Sequence, residues 1–457
     1  MDARTALVAA ALRRRRIASA AELAAEIGVS QPTLSRLLRA LGDSVVSVGK
    51  ARRARYALLR SVRGLPTLLP IYRVGPTGQP RQCGTLAAID PEGAHLRDAA
   101  AIGWPLDETM REGIFPGVPY FILDMRPQGF LGRAFAREHA AHLNLPVDAT
   151  RWSDDDVLVA LASAGEDMPG DLIVGAQAVE AFQRRRAARI VPVRLHERVA
   201  SYPERATAAL LGDAPGSSAG GEFAKFTGTI EAQDGVRHVI VKFSPADDNA
   251  AAARWRDLLI AEHHAPAALS GIGVPAAASD IVLSAGRVFL EVSRFDRVGE
   301  HGRRAALTLG AIEPALLGLG DVRWESAAAE LHRRGWLSED DVAQITRLSI
   351  FGDFIGNSDM HGGNLAFLQS AAGQLSLAPA YDMLPMLFAP ARSGELVARR
   401  LAARPPVPGV EALWREALAA AFNYWSRLTD DERISDSFRQ ICTVNQRQLE
   451  ELGDRFS

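Results

Sequence analysis

Asn357-Ser358-Asp359-Met360-His361-Gly362-Gly363-Asn364, followed by Ala380-Tyr381-Asp382-Met383, decides the fold of this chain. Phosphoryl transfer to a hydroxyl needs a carboxylate to take the proton, and oxygen ligands that hold Mg²⁺ on the nucleotide phosphates. Asp359, then Asn364 five residues on, then Asp382, supply these groups in chain order. The apolar run Ile345–Ile355 reads as a helix ending at Gly356, so Asp359 sits at a helix-to-loop exit with its carboxylate free to face a substrate hydroxyl. Gly362-Gly363 permits the tight bend that turns Asn364 back. Leu365–Leu368 and Leu375–Pro379 read as strands around a Gln369–Gly373 turn, returning the chain and Asp382 to the same place.

Upstream, the chemistry continues. Gly212–Gly221 is a loop of small residues ahead of the alternating Glu222-Phe223-Ala224-Lys225-Phe226, a setting in which backbone N–H groups can approach phosphate oxygens. Ser217, Ser218, Gly220 and Gly221 are its candidate nucleotide contacts. In the strand His238–Phe243 a single lysine, Lys242, ends an apolar run and can reach phosphates from a buried position. The helix Ala251–Leu269 offers Glu262 or Asp257 as its partner. Val288–Arg297 reads as a strand becoming a connector between lobes, with Glu291, Ser293 and Asp296 as candidate nucleotide contacts. Asp296 fits either a ribose contact or a local pair with Arg294 or Arg297.

The amino-terminal segment has a different character. Residues 1–60 hold 12 Arg or Lys against 4 Asp or Glu, while the whole chain carries a net charge of −2, so this segment is suited to a polyanion. Ala6–Arg16 and Ala20–Ile27 have helical periodicity, Gly28-Val29 is a turn, and Ser30 is placed to cap a third helix with Pro32 in its first turn. Gln31, Thr33, Ser35, Arg36 and Arg39 form its outward face, short polar groups for base edges and guanidiniums for phosphate or guanine. Val45–Leu58 alternates like two strands around a basic turn carrying Arg52, Arg53 and Arg55. Helix, turn, helix and basic hairpin together predict a winged helix-turn-helix that binds DNA.

Composition frames the rest. With 457 residues, 47% hydrophobic and 23% charged, the chain has room for several cores. Cys83 and Cys442 are its only cysteines, which excludes a disulfide framework or a cysteine-rich zinc site and suits a reducing cytoplasm. No run of about 18 apolar residues is present, so a membrane span or secretory segment is not expected. Residues 65–200 read as a mixed α/β subdomain, with short strands through Cys83–Ile89 and helices over Asp124–Leu143, Trp152–Leu161 and Ala176–Arg186. The dispersed His95, His139, His142 and His196 are expected to be ordinary core or surface residues.

Ser217-Ser218-Ala219-Gly220-Gly221, Val241-Lys242, Arg294-Phe295-Asp296-Arg297, the Asn357–Asn364 loop and Tyr381-Asp382 together resemble the successive motifs of HipA-type serine/threonine kinases, the toxins of bacterial HipBA toxin–antitoxin systems. The resemblance covers roughly residues 65–440, and the basic first module matches the subgroup with a fused helix-turn-helix (YjjJ- or HipH-like). It implies an α+β architecture: a winged helix-turn-helix over 1–62, a HipA amino-terminal-type subdomain over 65–200, a kinase small lobe over 201–300 and a helical large lobe over 301–457. By the resemblance, ATP and Mg²⁺ are the cofactors, Asp359 the base, Asn364 and Asp382 the metal ligands, Lys242 the phosphate-binding lysine, and His361 a loop or nucleotide-side contact. Ser217 falls where the family autophosphorylates, with Ser218 a second acceptor, and phosphorylation there would repel ATP. The sequence departs from the family where Gln-Glu-Lys normally follows the glycines, since Glu222 here precedes Phe223-Ala224-Lys225. Family toxins phosphorylate a serine of an aminoacyl-tRNA synthetase, so a cytosolic protein substrate is implied, together with operator DNA of inverted-repeat form and a homodimer. The opposing possibility is a DNA-binding regulator whose kinase-like part only senses nucleotide; intact Lys242, Asp359, Asn364 and Asp382 favour the enzyme.

Overall fold

The first sixty residues form, in order, helix, strand, helix, helix, strand, strand. Asp2 accepts from the Thr5 N–H to cap helix Ala3–Arg15, and Ser19 with Glu22 makes a reciprocal capping box on helix Ala20–Ile27, which Gly28 ends in the left-handed conformation. Ser30 precedes helix Gln31–Leu41 in extended backbone, but its hydroxyl bonds the Thr33 hydroxyl rather than a backbone N–H. Val8, Leu12, Leu23, Leu34, Leu38 and Leu58 bury themselves in a core separate from the rest of the molecule. Strand Arg55–Arg60 pairs antiparallel with both Val45–Val48 and Ile17–Ser19. The computed structural model describes residues 2–49, 54–211, 222–233, 235–320, 323–371 and 373–456, so the basic turn with Arg52 and Arg53 lies outside the described residues.

That same strand continues into the next layer. Leu59 and Arg60 pair with Ile89 and Ala88 of strand Pro80–Ile89, which also pairs with Leu69–Val74 and Ala94–Arg97. Helices Gly129–Leu143, Asp154–Ala164 and Ala176–Ala187 accompany this sheet, close to expectation except at the first. There Pro127 prevents a continuous helix from Asp124; Tyr120–Leu123 is a separate turn, and the long helix restarts at Gly129 with φ +62.

The small lobe is a four-stranded antiparallel sheet in the order Ser279–Ser284, Arg287–Ser293, Gly235–Phe243, Ala224–Ala232. Its pleat sorts the side chains. Val239, Val241, Phe243 and Phe289 pack on one face against Tyr202 and Ala206 of helix Arg198–Leu210. Leu290 joins the main core on the other face, with Leu258 and Leu259 of helix Ala250–Ser270. The large lobe is built on helices Glu339–Ile355, Glu411–Asp430 and Asp436–Arg455. The first starts six residues before the apolar run because Ser338 caps it through the Asp341 N–H. Strands Ala306–Thr308, Ala366–Ala371 and Gln374–Leu377 form a small sheet that carries the chain from the Asn357–Asn364 loop to Asp382. Among the described residues no helix is long and apolar enough to cross a membrane.

Candidate active site

A cleft of about 1080 Å³ lies between the small-lobe sheet and the large lobe, and it collects Lys242, Asp359, His361, Asn364 and Asp382. Lys242 is held from two sides. Its Nζ donates to Glu262 Oε1 and Oε2 at 2.6 and 2.7 Å and also to Asp382 Oδ1. Glu262, not Asp257, is therefore the helix partner; Asp257 accepts from Ser435 in the large lobe. Burial works against the Lys242 charge, but the two carboxylates outweigh it and hold the ammonium above the usual lysine range. Burial likewise opposes the Asp382 charge, and Lys242 with Lys225 holds that carboxyl below its ordinary value. Glu262 moves the other way, raised by burial and by Asp382 more than Lys242 lowers it.

The loop after Gly356 is tied to itself by its own polar groups. Asn357 accepts from the Asp359 N–H at 3.1 Å and donates to the Asp382 carbonyl at 3.2 Å, joining the two acidic positions. Asn364 Nδ2 donates to the Asp359 carbonyl at 2.9 Å, which leaves its Oδ1 free of partners among the described residues. The Gly363 N–H donates to His361 Nδ1, the Trp324 indole donates to the His361 carbonyl, and Tyr381 donates to the Gly363 carbonyl. A Cβ on Gly362 would meet the Gly310 nitrogen at 2.8 Å, so glycine is required there for close approach. Asp382 adopts φ +55, which favours glycine over other residues and is held here by Lys242 and Asn357.

Asp359 points into the cleft with its side chain about half exposed. Partial burial raises its carboxyl above the usual range; the Asp382 and Glu222 charges add to this while His361 and Lys225 oppose it. A proton acceptor with a raised pKa is closer to the working range of a general base. Asn364 and Asp382 fit a Mg²⁺ site in kind: a carboxylate and a free amide oxygen, with the remaining positions left for phosphate and water. Among the described residues no group of three or more His, Cys, Asp or Glu is placed to hold a metal by itself.

Three expected nucleotide contacts are not brought to the cleft. Glu291 pairs in register with Val241 and Ser293 with Val239, residues of the opposite face. Glu291 is buried under Arg198 and the Tyr202 hydroxyl. Asp296 is consumed by Arg294 at 2.9 Å and Arg297 at 2.6 Å and accepts from the Gly170 N–H, so it serves as a connector pair. Ser217, Ser218, Gly220 and Gly221 lie outside the described residues.

Sequence reasoning missed other groups. Lys225 pairs in register with Lys242 and lines the cleft, two cations side by side on one face. Like charges directly opposite repel, so an anion between them is favoured. Glu222 leaves this strand to accept from the Phe130 N–H at 2.7 Å, docking the sheet on helix Gly129–Leu143. Asp124, half-buried and with its carboxyl raised by desolvation, accepts from the Thr308 N–H and hydroxyl near Gly310. The middle layer is thus one wall of the cleft.

In the first module Gln31, Ser35, Arg36 and Arg39 are exposed and Thr33 is half-buried, on the face of their helix opposite Leu34, Leu37 and Leu38. Arg55 instead pairs with Glu112 of the middle layer, which removes it from the free basic groups.

Comparison with known proteins adds the following. Residues 65–183 match the family model for the YjjJ-like toxin middle domain, and residues 217–447 match that for the HipA-like C-terminal domain. The chain is 36% identical over 438 residues to the Escherichia coli (strain K12) protein named Toxin YjjJ, covering 96% of each. HipA of Shewanella oneidensis MR-1, solved with HipB and its operator DNA, superposes with a TM-score of 0.50 at 14% identity, over 85% of this chain and 97% of its own. A Helicobacter pylori proinflammatory kinase, CtkA, aligns over 50% of this chain and 87% of its own at 10% identity with a TM-score of 0.36, too loose a fit to argue from.

Proposed function

Because the chain belongs to the family of YjjJ-like toxins with a HipA-like C-terminal domain, we propose that it is an ATP-dependent serine/threonine protein kinase of a type II toxin–antitoxin system. The observation that carries this reading is Lys242 bridging Glu262 and Asp382 in the cleft that also holds Asp359 and Asn364. Lys242 and Lys225 bind the ATP phosphates. Asn364 and Asp382 would hold Mg²⁺, which would supply charge neutralisation at the nucleotide phosphates. Asp359 receives the proton of the acceptor serine hydroxyl, and the Asn357 and Asn364 amides keep its backbone in position. His361 stabilises the loop through its Gly363 contact. The acceptors are Ser217 or Ser218 of the chain itself and a serine of a cytosolic protein, with an aminoacyl-tRNA synthetase as the family's precedent.

The first module acts as a winged helix-turn-helix that binds operator DNA of inverted-repeat form as a homodimer, with Gln31, Thr33, Ser35, Arg36 and Arg39 toward the bases and phosphates and Arg52 and Arg53 on the wing. The order helix, strand, helix, helix, strand, strand supports it, as does the exposed polar face of helix Gln31–Leu41. The deciding experiment is transfer of labelled γ-phosphate from ATP with Mg²⁺ to the protein and to cytosolic extract. Label that disappears in Asp359→Ala supports the kinase, and label that persists in this variant sinks the assignment of the base.

A further inference from the structure

A second polar cavity, about 290 Å³, opens further along the small-lobe sheet from Lys225 and Lys242, walled by Thr227–Thr229 of the first strand, the Arg294–Arg297 connector and the middle layer at Glu166 and Phe182. Its cationic groups are in excess of their partners at two points. Arg303 is 3% exposed, lies 4.9 Å over the Phe182 ring and donates one Nη to the Glu166 carbonyl, but its other Nη has no hydrogen-bond partner among the described residues. A buried guanidinium nitrogen without an acceptor is a substantial cost unless something fills the place. Arg205, at the rim, is exposed and has no ion pair or hydrogen bond among the described residues; its Nη1 lies 3.7 Å from where a Cβ on Gly228 would stand. The carboxylates nearby are already engaged or turned outward. Asp167 pairs with Arg297 and Arg185, Asp296 with Arg294 and Arg297, and Glu300 is 66% exposed. Burial and the neighbouring Arg297 and Arg294 charges pull the Arg303 pKa down to about 9, against the opposing pull of Asp167 and Asp296.

We propose that this cavity is a binding site for a phosphate-class oxyanion, free or as a monoester, held by Arg303 from below and Arg205 from the rim. The ligand spans the middle layer and the small lobe, and the site is separate from the nucleotide cleft because its lining shares no residue with that of the cleft.

The test is calorimetric titration of inorganic phosphate, and separately of O-phosphoserine, into the full-length protein and three variants. Arg205→Glu is expected to weaken binding by about tenfold or more, since it replaces an attractive charge by a repulsive one at the rim. Arg303→Gln is expected to abolish binding, and Arg333→Gln, at an exposed position of the large lobe outside both cavities, to leave it unchanged. Should Arg303→Gln fail to fold, the exposed Arg205→Glu still decides the matter. Binding of both ligands assigns a monoester site, and binding of inorganic phosphate only assigns a free-anion site; both support the proposal. Absence of saturable binding, equal affinity in Arg205→Glu and wild type, or an equal loss in Arg333→Gln overturns it.

Discussion

Lys242→Met is expected to make the stability of this protein strongly dependent on pH. In the wild type one ammonium, 6% exposed, lies between Glu262, also 6% exposed, and Asp382. Removing it leaves two unpaired carboxylates facing each other, Glu262 out of water and Asp382 29% exposed, and each favours its protonated form. Their folded pKa values then stand above the unfolded ones, which are near 4. Stability from groups raised in this way is fully present below the unfolded pKa and is lost as pH rises through the folded one. One proton retained by the folded state from pH 5 to 8 corresponds to about 4 kcal/mol, in line with the 3–5 kcal/mol typical of breaking a buried pair. Urea unfolding of variant and wild type at pH 5, 6, 7 and 8 measures it directly. The variant should fall behind the wild type by about 4 kcal/mol over that range, with phosphoryl transfer lost throughout. Parallel pH profiles for the two proteins would refute the view that Lys242 is what keeps these carboxylates charged.

Other substitutions separate structural from chemical roles. Asp296→Asn removes the carboxylate that the buried Arg294 and Arg297 share, leaving Arg297 only Asp167, and is expected to destabilise by about 3–5 kcal/mol while leaving the KM for ATP within a factor of about two; a large KM effect at unchanged stability would restore a ribose contact. Gly362→Ala should push the catalytic loop off Gly310 and lower kcat by about 10²-fold, as a misplacement near 1 Å does, with the melting temperature little changed; full activity would show that the loop accommodates the methyl group. Arg36→Ala and Arg39→Ala should each weaken operator binding, and the salt slope should fall by about one for every phosphate that is no longer neutralised; unchanged affinity and slope in both would remove the helix from the DNA interface.

The first module and the middle layer are mechanically joined in a way that a boundary drawn near residue 62 hides. Strand Arg55–Arg60 closes the small basic module at its start and enters the larger sheet at its end. Arg13 pairs with Asp90, Arg16 with Glu92 and Arg60 with Asp155 across the same junction. The local excess of arginine therefore overstates the charge free for a polyanion, because part of it is a docking interface. Arg55, selected from sequence as a DNA contact, belongs to that interface through Glu112.

What was legible in the sequence was whatever short spacing encodes. Asp359 and Asn364 sit five residues apart, and the loop hydrogen bonds that place them run between near neighbours, so their meeting follows from local sequence. Glu291 and Ser293 were misjudged for an equally local reason: one step along a strand reverses the face, and only the pairing of Leu290 with Lys242 shows that Leu290 and Val292 occupy the cleft side. Lys225 was invisible because a lone strand lysine has no signal until its register opposite Lys242 is known. Asp124 lies 184 residues from Thr308, so no window of sequence contains both. The parts of the cleft that come from the middle layer, Asp124 and the helix start that receives Glu222, are thus long-range products of the fold. They are also what distinguishes a cleft walled on three sides from one closed by two lobes alone, and substitutions there should alter catalysis without touching any residue of the Asp359–Asn364 loop.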